Sequence, residues 1–422
     1  MKEISPVTTI DTTIAVPGSK SLTQRALIAA ALADGASTLL GPLTSEDTDY
    51  TSKALNQMGI RVDKKADCWQ VDGNSGRIAA PKEEIYLGNN GTATRFLTSV
   101  AALGDGVFII DGEKRMRERP IGPLMEALRG WGVDIRSVMD TGCPPLRITS
   151  HGLPGGETVL PEGKSSQYLS SLLLVAPYAA RPATLEVRGE VLSKPYVAMT
   201  LSVMADFGVE VDCNRELTRF VIPQGCYRAR EYQIEGDASN ASYFWAAAAI
   251  TAGRVTVSNV PVPSLQGDAG LLPLLARMGC EISREGGGIM VQGRKELEGI
   301  TVDMGDMPDV VPTLAVVAAF AQGTTIINNI AHLRIKECDR LTAVVTELTK
   351  MGARVEEQQD SMIIHGDGGA GLHGAVIDTY KDHRMAMSFA VTGLRVPGVQ
   401  ISDEGCVAKS FPDFWERFSL LA

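Results

Sequence analysis

A fixed internal period limits what this chain can fold into more than any other feature. Five corners share the form apolar-Gly-x-x-apolar: Met58-Gly59, Trp131-Gly132, Phe207-Gly208, Met278-Gly279 and Met351-Gly352. Their glycines are spaced 73, 76, 71 and 73 residues apart. Each follows an amphipathic stretch such as Leu341 to Met351 and precedes a β-rich one such as Ala353 to Glu357. Glycine just past a helix end is the expected left-handed cap. One such corner is ordinary; five in near-constant step describe a repeat.

A second series starts helices. Alanine-rich apolar runs begin near Ser21, Thr92, Ser166, Asn240, Pro312 and Arg384, each after a polar or glycine-containing turn. Each leads into a glycine or proline turn and a β-rich segment, such as Gly106 to Ile110 or Thr324 to Ile327. The unit reads strand, helix, strand, helix, strand, strand, and there are six of them. This is an α/β protein of six βαβαββ repeats. The sixth unit lacks its closing strands, because the chain ends after a helix-like Phe411 to Leu421. The strand-like segment Glu3 to Val16 is expected to supply the missing piece. Two domains follow, residues 17–235 and a discontinuous one of residues 236–422 completed by 1–16, with crossings at Val16-Pro17-Gly18 and Glu235-Gly236-Asp237.

The 422 residues are ample for two such cores, and 44% hydrophobic with 21% charged residues is ordinary for a globular protein. A net charge of -10 argues against a nucleic-acid partner. It leaves room for a local basic cleft that binds small anions. Seven cysteines, with no CxxC pair, indicate neither a disulfide framework nor a zinc site. The amino terminus shows no signal-peptide pattern, and no apolar run approaches a membrane span of roughly 20 residues. A cytoplasmic protein with no membrane partner is expected.

The charges gather at the turns. Lys20, Asp309 and Asp382-His383-Arg384 precede the first helices of their units. Arg117, Arg119, Lys194, Lys336-Glu337, Asp339-Arg340 and Lys409 precede the second helices. Helix amino termini offer unpaired N–H groups and partial positive charge, so turns of this kind suit phosphates and carboxylates. Arg340 and Arg384 fit planar carboxylates. Each residue also has a plainer reading. Ser165-Ser166 reads first as a helix cap, Cys338 as an ordinary thiol, His383 equally as a base or a structural histidine, and Glu337 as a counter-ion to its cationic neighbours.

Taken together and in order, the turn motifs resemble the 5-enolpyruvylshikimate-3-phosphate synthases. Pro17-Gly18-Ser19-Lys20-Ser21 with Arg25 and Leu87-Gly88-Asn89 with Gly91-Thr92-Ala93 carry the likeness. So do Arg119-Pro120-Ile121, Ser165-Ser166-Gln167, Ser193-Lys194-Pro195-Tyr196 and Gly236-Asp237-Ala238-Ser239. Lys336-Glu337 with Asp339-Arg340, Asp382-His383-Arg384-Met385-Ala386-Met387, and Lys409 with Phe411-Pro412-Asp413 complete it. The resemblance implies two inside-out α/β domains that close on substrate, a monomer, and no metal or cofactor.

It also implies the substrates. Shikimate 3-phosphate would meet Lys20, Ser21, Arg25, Ser165, Ser166, Gln167, Ser193, Tyr196, Asp309, His332 and Lys336. Phosphoenolpyruvate would meet Lys20, the Gly91 backbone, Arg119, Gln167, Arg340, Arg384 and Lys409, at a position where the family binds glyphosate. Catalysis would fall to Asp309 with Lys20, and to Glu337 with Lys409. His332 stands where many members have asparagine; Asn90 and Phe96 stand where many have alanine and proline. The sister family acting on UDP-N-acetylglucosamine fits less well. Ser21 follows Lys20 where that family has asparagine, and the stretch Glu113 to Pro120 holds Arg119 and no cysteine. A silent repeat scaffold that binds a protein partner would need these turns scattered and exposed.

Overall fold

A computed structural model describes all 422 residues. The chain divides into two compact units, Gly18–Ile234 and Met1–Pro17 with Glu235–Ala422. We call them the continuous and the split unit. Each contains three small sheets, and all six sheets repeat one plan: a first strand parallel to a second, which runs antiparallel to a third. In five of them a fourth strand follows, antiparallel to the third. The α/β class stands as expected from the sequence.

The N-terminal segment departs from expectation in an informative way. It is two strands, Lys2–Glu3 and Asp11–Ile14, and they serve different sheets. Lys2–Glu3 pairs antiparallel with Gln400–Ile401 and takes the third position in the sheet that the chain end leaves short. Asp11–Ile14 pairs parallel with Arg254–Val257 and opens the next sheet in the same unit. Glu231–Gln233 does the equivalent for the continuous unit, pairing parallel with Thr38–Leu40. Lone Lys or Glu alternation in so short a run cannot reveal which sheet it will join.

The six apolar runs are helices buried all round, which places them inside their units rather than on a surface. In the continuous unit they are α1 (Lys20–Leu32), α3 (Gly91–Ala101) and α5 (Ser166–Val175), which pack on one another. In the split unit they are α7 (Ala238–Thr251), α9 (Val311–Ala319) and α11 (His383–Gly393), also mutually packed. Small residues permit the close approach, and hydroxyls satisfy one another where the helices meet. Ser242 and Thr313 lie 3.2 Å apart, as do Thr313 and Ser388, and Ser99 meets Ser171 at 2.7 Å.

Outer helices α2 (Glu46–Gln57), α4 (Gly122–Gly130), α6 (Lys194–Asp206), α8 (Leu271–Arg277) and α10 (Arg340–Lys350) each end at one of the five glycine corners. Those glycines have φ between +87° and +110°. At every corner the residue after glycine donates back five residues: Ile60 to Leu55, Val133 to Leu128, Val209 to Met204, Cys280 to Leu275 and Ala353 to Leu348. This is the Schellman closure, open to glycine because it has no Cβ. Repeated chemistry at these corners turns each outer helix into an antiparallel strand pair. It thereby fixes where every following helix starts, and the charged turns stand at those starts.

Candidate functional site

Two clusters of charged and polar side chains form at helix amino termini, one in each unit. In the continuous unit Lys20 opens α1 and its Nζ lies 3.1 Å from Asp47 of α2. The Asp47 carbonyl also accepts from Gln24 at 3.3 Å and from Asn90 at 2.6 Å. Asn90 caps α3 by accepting from Ala93 at 2.9 Å. Gly91 follows, and a Cβ there would stand 2.5 Å from Nη2 of Arg119. Arg119 is itself 5% exposed and donates to the Asn89 side chain at 3.2 Å. Gln167 of α5 reaches Thr92 of α3 at 3.1 Å. The starts of α1, α2, α3 and α5 are thus joined through their side chains.

Ser165 and Ser166 differ from the cap reading. Ser165 occupies the cap position of α5, yet its hydroxyl makes no capping bond. Ser193 caps α6 in left-handed backbone, φ 56° and ψ 43°, again without a side-chain cap bond. A serine held in that conformation is strained, and such strain gathers at functional positions. Arg25 lies deeper than the resemblance suggested. It is 2% exposed and donates to Thr200 at 2.7 Å, Ser170 at 3.2 Å, and the carbonyls of Ser21 and Tyr196 at 3.0 and 3.1 Å. Its guanidinium also faces the Phe96 and Tyr196 rings. Burial, only slightly offset by Tyr196, brings it down to about 10.

In the split unit the hub is Arg340, the first residue of α10 and 1% exposed. Its Nε donates to Asp382 at 2.7 Å, its Nη2 to Glu337 at 2.7 Å, and its Nη1 to Asp309 at 3.0 Å. Arg384 of α11 donates to the other Asp309 oxygen at 2.6 Å. Asp382 is fully buried and caps α11 by accepting from Arg384 N at 2.9 Å. Burial alone would make Arg340 easier to deprotonate, but Asp382, Glu337 and Asp309 more than reverse it. Arg384 follows the same logic, with Asp309 its strongest partner.

Burial and then Asp382, 3.6 Å away, push the Cys338 thiol far up, which disfavours the nucleophilic thiolate. His383 is 1% exposed, with Nδ1 3.7 Å from Asp382. His332 is 7% exposed, and neither ring nitrogen has a hydrogen-bond partner. Burial, then Lys336, depress it to about 3, so it is neutral. Lys336 follows the turn that carries His332, and Lys409 ends the turn Glu404–Lys409 at 8% exposure.

Sequence reasoning gathered Asp309, Glu337, Arg340 and Arg384 with Lys20, Arg117, Arg119, Lys194, Lys336, Asp382 and Lys409 at the charged turns, and of these the first four meet directly. It counted Asp382 among the charged turns without seeing its role as cap and partner of Arg340, although a carboxylate at a helix start is the expected cap, and it missed Asp47. Asp47 carried a weaker signal, lying inside the acidic run Glu46-Asp47-Thr48-Asp49 at the start of α2.

Comparison with known proteins gives the same direction. The family described as EPSP synthase (3-phosphoshikimate 1-carboxyvinyltransferase) matches residues 4–418. A 3-phosphoshikimate 1-carboxyvinyltransferase from Trichormus variabilis is 46% identical over 97% of this chain and 96% of its own. One from Syntrophobacter fumaroxidans is 46% identical over 100% of this chain and 99% of its own. The solved EPSP synthase structure from Acinetobacter baumannii superposes with a TM-score of 0.83 at 28% identity, covering 100% of this chain and 98% of that one. The chain belongs to the EPSP synthase family.

Proposed function

We propose that the two clusters serve one pair of substrates, and that the two compact units are the domains that present them. As an EPSP synthase the chain is a transferase of the shikimate pathway, in aromatic amino acid biosynthesis. It moves the enolpyruvyl group of phosphoenolpyruvate to the 5-hydroxyl of shikimate 3-phosphate and releases phosphate. The observation that carries the residue assignment is the Arg340 hub, where two buried guanidiniums and three carboxylates share hydrogen bonds.

Shikimate 3-phosphate is assigned to Lys20, Ser21, Ser165, Ser166, Gln167, Ser193 and Tyr196 of the continuous unit, with Asp309, His332 and Lys336 of the split unit. The Ser165 hydroxyl, which makes no capping bond, is suited to its phosphate. Arg25 is assigned to the same substrate, and its guanidinium also holds the carbonyls of Ser21 and Tyr196. Phosphoenolpyruvate is assigned to Lys20, Gly91, Arg119, Gln167, Arg340, Arg384 and Lys409. The 5-hydroxyl attacks C2 as Asp309, assisted by Lys20, takes its proton, and C3 gains a proton. The tetrahedral intermediate then expels phosphate as C3 returns a proton, a transfer given to Glu337 with Lys409. Cations of the site neutralise the charge on the departing phosphate.

The pairing of Asp309 with Arg340 and Arg384 adds a physical step. Two guanidiniums favour the charged carboxylate and make it a poor base. An arriving substrate anion competes for those same donors. Binding of phosphoenolpyruvate would therefore free Asp309 and strengthen it as a base when the hydroxyl is in place. Asp309→Asn should keep the fold and lose turnover. A phosphate-release assay with shikimate 3-phosphate and, separately, UDP-N-acetylglucosamine tests the reading; release with the second acceptor alone overturns it. We further propose that the enzyme acts in the cytoplasm as a monomer, as its resemblance implies; no helix is long and apolar enough to cross a membrane.

A further inference from the structure

Glu347 is a fully buried carboxylate with no role assigned so far. It lies on α10 seven residues after Arg340, which places both on one face of that helix. Its Oε1 accepts from the Tyr380 hydroxyl at 2.9 Å. Its Oε2 accepts from Asp378 N at 3.1 Å and from Lys350 Nζ at 2.6 Å. Lys350 donates in turn to the Val376 carbonyl at 3.2 Å. A glutamate is almost never buried this completely unless it is paired, and here the pairing fastens α10 to one short segment of chain.

That segment, residues 376–381, leads from the strand Val376–Ile377 to the start of α11. Tyr380 and Lys381 have φ of 51° and 56° in succession. Residues with a Cβ seldom enter the left-handed region, and such a pair persists only where its surroundings hold it. Local bonds supply part of the hold: Tyr380 N donates to Asp378 at 2.9 Å, and Asp382 N to the Thr379 carbonyl at 2.8 Å. Glu347 adds two more from α10. Directly after the turn come Asp382, which accepts from Arg340 Nε at 2.7 Å, and Arg384. Helix α10 thus grips the entry to α11 twice, at Arg340 with Asp382 and at Glu347 with Asp378 and Tyr380.

We propose that Glu347 is a positioning residue for the phosphoenolpyruvate-binding arginines: it holds the left-handed turn at 380–381 and so fixes where Asp382 and Arg384 stand around Arg340. The inference rests on the reading of Arg340 and Arg384 as the groups that bind phosphoenolpyruvate. Without this grip Tyr380 and Lys381 relax toward ordinary backbone, and the start of α11 shifts with them. A guanidinium binds a carboxylate or phosphate through directed, paired hydrogen bonds, so a small shift weakens its hold. Glu347 acts through that displacement and moves no proton.

Steady-state kinetics with each substrate varied in turn tests it in Tyr380→Phe, Glu347→Met and Glu347→Gln. Tyr380→Phe removes one hydrogen bond, and its KM for phosphoenolpyruvate should rise severalfold, up to about tenfold. Glu347→Met removes every bond to the turn and should raise that KM further. Glu347→Gln can still accept from Asp378 N and donate to the Tyr380 oxygen, so its KM should lie closer to wild type; the reverse order overturns the proposal. The KM for shikimate 3-phosphate and the turnover number should change little. A merely structural Glu347 would lower the active fraction, so that turnover falls with both KM values unchanged, and that outcome overturns the proposal. Equal rises in both KM values also overturn it, since they mark a general loosening. If Glu347→Met fails to fold, Tyr380→Phe decides: a raised KM for phosphoenolpyruvate supports the proposal and a wild-type value overturns it. Arg384→Gln in parallel separates the two readings. An unchanged KM there overturns the phosphoenolpyruvate assignment and this inference with it. A raised KM there, beside wild-type values in Tyr380→Phe and Glu347→Met, overturns this inference alone.

Discussion

Arg25 and Arg340 are both fully buried at the start of a charged cluster, and their surroundings are opposite. Arg25, in the continuous unit, is held by hydroxyls and carbonyls without a carboxylate partner. Arg340, in the split unit, is held by three carboxylates. Burial therefore lowers the proton affinity of the first, while charge pairing overrides burial at the second. The difference suggests a division of labour. A guanidinium held by neutral oxygens keeps its positive potential for an anion, whereas a cluster dense in coupled acids and cations can move protons.

The largest effect should come from removing an acid in the split unit. Glu337 bonds Arg340 at 2.7 Å, a contact that also fits a simple counter-ion. Glu337→Gln keeps the shape and an acceptor for Arg340 but cannot carry the C3 proton. Turnover should fall by ~10²–10⁴, with calorimetric affinity for shikimate 3-phosphate little changed. Turnover above about a tenth of wild type sinks the idea. So does affinity that collapses in step with rate, which would make Glu337 a counter-ion only.

Next comes stability. Arg340→Met strands Asp309, Glu337 and Asp382 without their shared cation, and breaking a buried pair in this way costs ~3–5 kcal/mol. Arg25→Met should cost less, because Thr200 still bonds Ser170 at 2.7 Å and the Tyr196 carbonyl at 2.9 Å. Urea unfolding at pH 7 compares them, and equal losses would erase the contrast between the units. The Arg340→Met penalty should also shrink at pH 4, where protonation relieves the stranded carboxylates.

This contrast was only half legible in the sequence. The five glycine corners and six helix starts could be read because local chemistry dictates them: a left-handed glycine and a buried alanine-rich run look alike wherever they occur. The cluster at Asp309, Glu337, Arg340 and Arg384 was legible because its members sit at the helix starts of the repeat. What a carboxylate does there was not. Whether Asp382 caps, pairs or reacts depends on a neighbour 42 residues away. The same holds for Glu347, whose partners Asp378 and Tyr380 stand 31 and 33 residues away. Nor could the sequence show that Arg25 turns its donors inward, since that is decided by Thr200 and Ser170 on distant helices.

His332 breaks the pattern of its own unit, because burial depresses it as it does Arg25. A histidine at about 3 when folded and near 6.5 when unfolded favours the native state above pH 6.5. That advantage is lost as pH falls toward 3, at about 1.4 kcal/mol per pH unit. His332→Asn removes the proton linkage. Between pH 7 and pH 5 the variant should lose about 2 kcal/mol less unfolding free energy than wild type. Identical losses would mean that His332 finds a partner in solution and is not held neutral.

The smallest effect should come from the continuous unit, at Gly91. Its backbone is ordinary helix, so alanine there is not strained, and the atoms nearest the added methyl are the far end of Arg119. That guanidinium is flexible and can retreat from a 2.5 Å contact, giving up part of its hold on Asn89. If Arg119 binds phosphoenolpyruvate, its KM should rise by no more than about tenfold, the value of one weakened hydrogen bond to a charged group. Turnover should hold, because no proton-moving residue is touched. Glyphosate, which the family resemblance places at the same position, must fit against the new methyl as well as the displaced guanidinium, and its inhibition should weaken more than substrate binding does. Steady-state inhibition with wild type and Gly91→Ala reads both constants from one experiment. Equal weakening would show that only Arg119 has moved and that the bare backbone of Gly91 adds no selectivity. A fall in turnover would be more damaging, since it would give the start of α3 a catalytic function.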